Sequence, residues 1–465
     1  MKRTRIILII IFILLGLGLI SYHYNLKPDT HDEIITEGIR GSMSPKAGVE
    51  MKRARDEFFH LMLRDPVTKQ IPARIRQLEI EFALQIPERQ LYRAKGGATA
   101  EITWKEAGPN MVGGRTRAMA LDRSDPTGNT IVAAGVSGGV WKSADAGNTW
   151  KLTTAPDQNP SVTSLAQYPN NPNIWYYSAG ERRGDSAGAQ GGSAPLFGDG
   201  IYRSTDNAES WHLLPATFND DKLWSTQVNF TSRIRINPQT GSVFLASNGF
   251  GIIRSTNGEI FNELVFGLVG GHFYVDLDIH ENGRIVAALS KTSAGNNQND
   301  DTAGLFTSTD DGSTWTDITP EDFPASHQRT VVAIAPSNPD IIYSFTYTGT
   351  GSGSDEDVRL FKIDLSDGTS SERSANLPPT FGMRFGGVNT QFNYNMMLSV
   401  HPSDESFLLL GATNLFRSET AFATPADNAD VTWIGGYGKP GLPFFYPNQH
   451  PDQHIAVFDH TNPDR

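Results

Sequence analysis

The sequence predicts an all-β fold, a multi-bladed β-propeller, and three observations carry that reading. The pattern Ser-x-Asp-x-x-x-x-Trp occurs three times, at Ser143/Asp145/Trp150, Ser204/Asp206/Trp211 and Ser308/Asp310/Trp315. Each copy follows a strand-like run led by glycine: GVWK, GIYR and GLFT. Ahead of each copy stand an alternating apolar run, a turn rich in polar residues and a second apolar run. Recurrence of one such unit along a chain marks a repeat architecture.

In chain order, the opening runs begin at Arg117, Val162, Ser232, Phe273, Thr330 and Met396. Their period-two alternation, β-branched and aromatic content and Gly/Pro/Asn/Asp turns predict hairpins. The third strand of each unit ends at positions 143, 204, 255, 308, 363 and 418, spaced by 51 to 61 residues. The fifth copy keeps the strand, RLFKI, but carries Ile363 where the others have serine. With the run after each Trp as a fourth strand, about 50 residues per unit matches a propeller blade. Inside the turn, the Asp side chain is expected to accept backbone N–H groups two residues on. Gly147 and Gly312 supply positions that tolerate positive φ. The Trp offers the apolar area to wedge between blades.

Both ends of the repeat region depart from this plan. Glu101–Pro109, EITWKEAGP, reads as the outer strand that follows a box turn, yet no box precedes it. His454–Arg465 reads as the first strand of a seventh unit. The expectation is six blades plus the start of a seventh, within residues 101–465, in a propeller incomplete at its C-terminus. The competing reading pairs the Trp104 strand with the Ile455 strand in an unusual seventh blade.

Lys2, Arg3 and Arg5 precede fifteen apolar or glycine residues, Ile6 to Ile20, which predicts a signal peptide or signal anchor over 1–25. Residues 26–48 are polar and read as a linker. Residues 49–95 read as a helical hairpin. Met51, Ala54, Phe58, Leu61 and Met62 recur at helical spacing, and a second helix near Pro72 carries Ile75, Leu78 and Phe82. The expected location is secreted, periplasmic or cell-surface, with tethering by an uncleaved anchor as one form. The net charge of −12 and the lack of basic runs beyond the first five residues argue against nucleic acid as a partner. The chain has no cysteine, which excludes disulfides, thiolate metal sites and a Cys nucleophile.

The box turns resemble the Asp-boxes of bacterial-neuraminidase-repeat propellers, a group with sialidases, xyloglucanases and sortilin among its members. GPNMVGGRTRAMALDRSDP and GGVWKSADAGNTW are most similar to the sortilin N-terminal-domain-like family of secreted bacterial proteins. The resemblance spans about Trp104 onward and implies a fold, because one fold hosts unrelated chemistry. Eukaryotic sortilin carries a Cys-rich module that has no counterpart here. The sialidase relation would imply three arginines, a Tyr/Glu pair and an acid Asp. Arg115, Arg117, Arg233 and Arg384 are candidates for the arginines, and no Tyr/Glu pair is assignable from sequence.

Three groups carry candidate chemistry. His450-Pro-Asp452-Gln-His454 would place two imidazoles and a carboxylate on one face of an extended strand, a ligand set for a divalent metal. The competing reading is a polar strand start. Glu181, Arg182, Arg183 and Asp185 open a long glycine-rich insertion, with Glu181 the candidate channel-facing carboxylate. Asp276, Asp278 and His280 share a strand face. The box residues Ser143, Asp145, Gly147, Trp150, Ser204, Asp206, Trp211, Ser308, Asp310, Gly312 and Trp315 are read as structural. The function expected is an exported, non-catalytic propeller binding a protein, peptide or glycan at the cell surface through its loop face or channel. No cofactor is required, a divalent metal being the one candidate, and it meets membrane only through the N-terminal segment. The alternative is a glycoside hydrolase, sialidase- or xyloglucanase-like, with carboxylates such as Glu181 and Asp276.

Overall fold

The computed structural model describes residues 53–85 in part, 115–182, 195–219, 227–267, 271–291, 302–351, 356–378, 387–425, 431–436 and 451–464. The signal segment, the linker, Glu101–Pro109, Arg183, Asp185, Arg384 and His450 lie outside the described residues. The chain divides into two units, Met1–Ile75 and Arg76–Arg465. In the first, the described residues between 53 and 63 are helical, as their spacing predicts. A second helix, α1 (Ile75–Gln85), follows, with Leu78 and Phe82 exposed. Among the described residues no helix is long and apolar enough to cross a membrane.

The described residues between 115 and 436 form six four-stranded antiparallel sheets, each built from strands consecutive in the chain. Blade one holds β1 (Thr116–Leu121), β2 (Ile131–Gly135), β3 (Gly139–Ser143) and β4 (Lys151–Leu152). Blade two holds β5 (Val162–Gln167), β6 (Trp175–Ala179), β7 (Ile201–Ser204) and β8 (His212–Leu213). Blade three is β9 (Thr231–Ile236), β10 (Val243–Ser247), β11 (Gly251–Ser255) and β12 (Glu263–Gly267). Blade four is β13 (Val275–Ile279), β14 (Ile285–Leu289), β15 (Gly304–Ser308) and β16 (Thr316–Asp317). Blade five is β17 (Thr330–Ala335), β18 (Asn338–Tyr347), β19 (Val358–Asp364) and β20 (Thr369–Glu372). Blade six is β21 (Met397–His401), β22 (Asp404–Gly411), β23 (Leu415–Ser418) and β24 (Val431–Gly435).

The blades stack because alternate residues of the middle strands feed opposite neighbours. On β6, Trp175 and Tyr177 enter the core shared with blade one, and Tyr176 enters the core shared with blade three. Five apolar cores result, one at each junction from blade one to blade six. Polar stitches join the inner strands. Asp276, Asp278 and His280 reach the next inner strand at Val332 N, Ile334 N and the Pro336 carbonyl, each at 3.0 to 3.1 Å. Arg233 adds a two-pronged bond to Asp276, at 2.7 and 2.8 Å.

The box turns close as the sequence suggests, with one difference. Asp145 and Asp310 accept the N–H four residues on, from Thr149 and Thr314 at 2.8 and 2.9 Å, and not the one two residues on. The serine takes the nearer donors: Ser143 Oγ accepts Gly147 N at 2.9 Å and donates to Asp145 at 2.8 Å. Two successive left-handed residues curl the chain enough for this, Ala146 and Gly147 in the first turn, Asp311 and Gly312 in the third.

Trp211 wedges between blades as expected, 2% exposed, its Nε1–H donating to Thr153 Oγ1 of blade one at 2.9 Å. Trp315 stacks on Phe266 of blade three at 4.9 Å. Trp150 does not wedge and is 41% exposed. Each wedge packs against the blade before its own, and among the described residues no full blade precedes blade one. Trp141 shows the same exposure at a position whose equivalents Tyr202, Ile253, Phe306, Phe361 and Phe416 are buried.

Residues 451–464 span the seam between blades six and one without joining a sheet ladder. Asp452 N and Gln453 N donate to the Thr413 and Ala412 carbonyls of blade six. Phe458 packs edge-on against His401, and Asp459 approaches Gly128 of blade one. Asp459 accepts Thr461 N and Oγ1 at 2.8 and 2.7 Å, repeating the Asp122/Ser124 turn at the end of β1. The sequence expects the first strand of a seventh unit here; the segment instead runs against blades six and one without forming a strand.

Candidate functional site

Strand order divides the propeller into two faces. In an up-and-down blade the first-to-second and third-to-fourth turns share one face, and the other connections share the opposite one. The box turns occupy the first face. The second carries the described ends of the longest connections, 180–182 and 195–200, 214–219 and 227–230, 290–291 and 302–303, and 373–378 and 387–396. Long connections on a rigid frame are where binding residues concentrate.

At that second face, inner strands deliver their first residues to the ring axis. Arg115 and Arg117 come from the start of β1, Arg329 from the residue before β17, and Tyr394 from just before β21. Glu181 follows β6, where Gly180 at φ 99° lets the chain pass so close to Asn229 that a Cβ would collide with its carbonyl oxygen. The resulting cavity of about 40 Å³ has room for a few water molecules. Among the described residues lining it, three arginines, Arg117, Arg182 and Arg329, face one carboxylate, Glu181.

Glu181 is buried, 3.4 Å from Arg115 and 3.3 Å from Arg117. Tyr394 Oη accepts from Arg115 Nη1 at 2.6 Å and donates to Glu181 Oε1 at 3.2 Å. Burial pushes the Tyr394 phenol up to about 12, Arg117 opposing the rise and Glu181 adding to it. His454 Nδ1 lies 2.8 Å from Arg117 Nη1. An arginine only donates, so Nδ1 accepts and the proton sits on Nε2, which is buried without a hydrogen-bond partner. Burial, with Arg117, Arg329 and Arg115 around it, holds His454 well below the usual imidazole range. Arg329 Nη1 donates to the carbonyls of Asn393 and Tyr394 at 2.9 and 2.8 Å. Burial and then Arg117 push it down to about 10, and the carboxylate that favours its charge, Asp276, is already engaged by Arg233. Arg182 lies over the Phe273 ring at 3.8 Å and is lowered to about 10 by burial.

Of the sequence candidates, Glu181 lines the cavity. Asp276 has both oxygens occupied, by Arg233 and Val332 N, and acts as a stitch between blades three, four and five. The strand geometry predicted for His450-Pro-Asp452-Gln-His454 breaks at Asp452, whose φ is +78°. Asp452 bonds to Asn395 at 2.8 Å and His454 to Arg117, so the two turn to separate partners. Among the described residues no three His, Asp or Glu side chains are grouped to hold a metal. The sequence reading missed Tyr394, and with it the Tyr394–Glu181 pair, and also Arg329. Arg329 stands one residue ahead of its inner strand, as Arg115 does, and Tyr394 three residues ahead of its own, so a search of the residues leading into each inner strand would have found both.

No family model matches the chain, and no curated protein matches it. Among solved structures it is similar to the GH74 enzyme of Niastella koreensis at 19% identity and a TM-score of 0.46, over 69% of this chain and 45% of that one. The GH74 xyloglucanase from Xanthomonas campestris gives 16% identity, a TM-score of 0.46, and the same 69% and 45% coverage. YCF48 bound to D1 peptide gives 14% identity and a TM-score of 0.42, over 73% of this chain and 91% of that one. The chain spans less than half the length of the GH74 structures it matches.

Proposed function

We propose that the chain is an exported binding propeller whose channel mouth receives an anionic group of a glycan or peptide. One observation carries the reading: three arginines against one carboxylate line the axial cavity of a protein whose net charge is −12. Guanidinium groups pair with carboxylate oxygens in a fork geometry, and part-buried ones do so with little competition from water.

Calorimetric titration tests this with glucuronate against glucose, and with a peptide bearing a free C-terminal carboxylate against its amide. The charged members of each pair should bind, and Arg329→Gln should weaken them at least about tenfold, the equivalent of ~1.4 kcal/mol. Equal affinity for charged and neutral members would overturn the reading.

The Tyr394–Glu181 bond favours a second reading, a sialidase-like glycoside hydrolase. It gives a phenol whose proton has a carboxylate to move to, the requirement for a nucleophile activated by a base. Against it, burial holds the phenol protonated at ordinary pH, and Asp276 is not free to act as an acid. Aryl glycosides of acidic sugars decide: release that is abolished by Tyr394→Phe selects the enzyme, and binding without release selects the propeller ligand.

A further inference from the structure

The segment that carries Tyr394 into the channel has an unusual backbone. Gln391, Phe392 and Asn393 have φ of 49°, 59° and 69°, three successive left-handed residues of which none is glycine. Left-handed geometry crowds the Cβ of an L-residue, so such a run persists only where its surroundings hold it. It also turns successive N–H groups toward a common point, a concavity that takes an anion.

Here the anion is internal. Glu356, buried ahead of β19, accepts Thr390 N and Thr390 Oγ1 at 2.6 Å each through Oε2, and Phe392 N at 2.7 Å through Oε1. Thr390 continues the clamp: its Oγ1 accepts Asn393 N at 2.9 Å and its carbonyl accepts Asn395 N at 2.8 Å. No described charged group pairs with Glu356. Its neighbour Asp357 turns away to Arg359 at 2.7 Å. Downstream, the same turn presents the Asn393 and Tyr394 carbonyls that hold Arg329, and the phenol that joins Arg115 to Glu181.

We propose that Glu356 is a positioning residue of the anion site: its carboxylate fills the left-handed turn and so fixes Tyr394 and Arg329 at the channel mouth. The inference rests on the anion-binding reading for its consequence, and on the turn alone for its geometry. Burial raises the Glu356 carboxyl above the usual glutamate range, the Thr390 and Phe392 bonds opposing the rise. Acidification should therefore remove the turn's anion at a higher pH than an ordinary glutamate would.

The test uses the full chain with glucuronate as probe, comparing wild type, Glu356→Gln and Glu356→Asp by titration across pH, with far-UV circular dichroism as a check on folding. Expected are affinity that falls on acidification in the wild type, a loss of about tenfold or more in Glu356→Gln, and a flattened pH profile in that variant. The sign separates this group from His454, whose protonation would add positive charge and strengthen anion binding. A second readout needs no ligand: spectrophotometric titration of Tyr394, identified by subtracting Tyr394→Phe. Loosening the turn should bring the phenol down from about 12 toward the ordinary 10. If Glu356→Gln does not fold, the shorter Glu356→Asp should show the same two changes in smaller measure. Wild-type affinity, pH profile and phenol titration retained in a folded Glu356 variant would overturn the proposal. Absence of glucuronate binding in the wild type, with the phenol shift still present, would sink the anion reading and leave the positioning role standing.

Discussion

Three tryptophans in the same turn motif meet three different surroundings, and the difference is set by the blade before each. Trp211 is sealed against Thr153, Trp315 lies on Phe266, and Trp150 is left 41% exposed. Replacing Trp211 by Ala should cost about 3–5 kcal/mol through lost burial and the cavity left behind. Trp150→Ala should cost well under half of that, since much of its area already meets water. Urea midpoints of the two variants measure this; equal losses would show that the turn itself, and not the neighbouring blade, sets the stability. The wedging read from the sequence holds for Trp211 and Trp315 and fails for Trp150. Its degree of burial was not, because burial depends on a partner strand that no local spacing specifies. Tyr394 escaped notice for the same reason: it meets Glu181 more than two hundred positions away, through ring geometry alone.

At the scale of elements, the box turns read almost completely from sequence. Ser and Asp at fixed spacing encode a left-handed curl, and the structure shows that curl in each copy, with glycine at its second left-handed position in the first and third and Ala208 there in the second. The bonds that close it also set an acid limit. Hydrogen bonds from Thr149 and Ser143 lower Asp145, and those from Thr314 and Ser308 bring Asp310 to about 2. In Asp206, burial works the other way, but bonds from Ser210 and Ser204 prevail and it settles at about 2. A carboxylate depressed on folding stabilises above its unfolded value of about 3.9, and that contribution is lost as pH falls toward the folded value. The melting temperature should therefore drop between pH 4 and about 2, and the drop should be shallower in Asp206→Asn. Parallel pH profiles for the two proteins would remove these turns as its source. Glu356, raised on folding, contributes with the opposite sign, so the Asp206→Asn comparison isolates the turns.

For the whole molecule, the sequence yields six blades in their observed order because each blade is a local unit with its own hairpins and its own turn. The strand ends read at 143, 204, 255, 308 and 418 are those of β3, β7, β11, β15 and β23. The seam was legible only as an anomaly. That residues 451–464 would bridge Thr413 to Gly128 without forming a ladder depends on how six blade rotations add up around a ring, which no single repeat records. The paired faces of the propeller were hidden in a similar way. One strand order sends every box turn to one side and the starts of inner strands to the other, so residues far apart in the chain become neighbours at the axis.

The contrast between a basic channel mouth and an acidic body acts on rates as well as on affinity. If the mouth binds anions as proposed, an approaching anion would meet the net charge of −12 as repulsion at long range and Arg117, Arg182 and Arg329 as attraction within a few ångströms. Salt screens the first interaction far more than the second, because exposed charges beyond about 8–10 Å are shielded while part-buried contacts are not. Added salt should thus speed association of an anionic ligand and leave its dissociation little changed. Stopped-flow traces at low and physiological ionic strength would show it, and association that slows with salt would mean that the mouth alone governs the approach. The proposed site would then favour small anions over long polyanions, whose many charges would meet the repulsion of the net negative charge before any one of them reached the arginines.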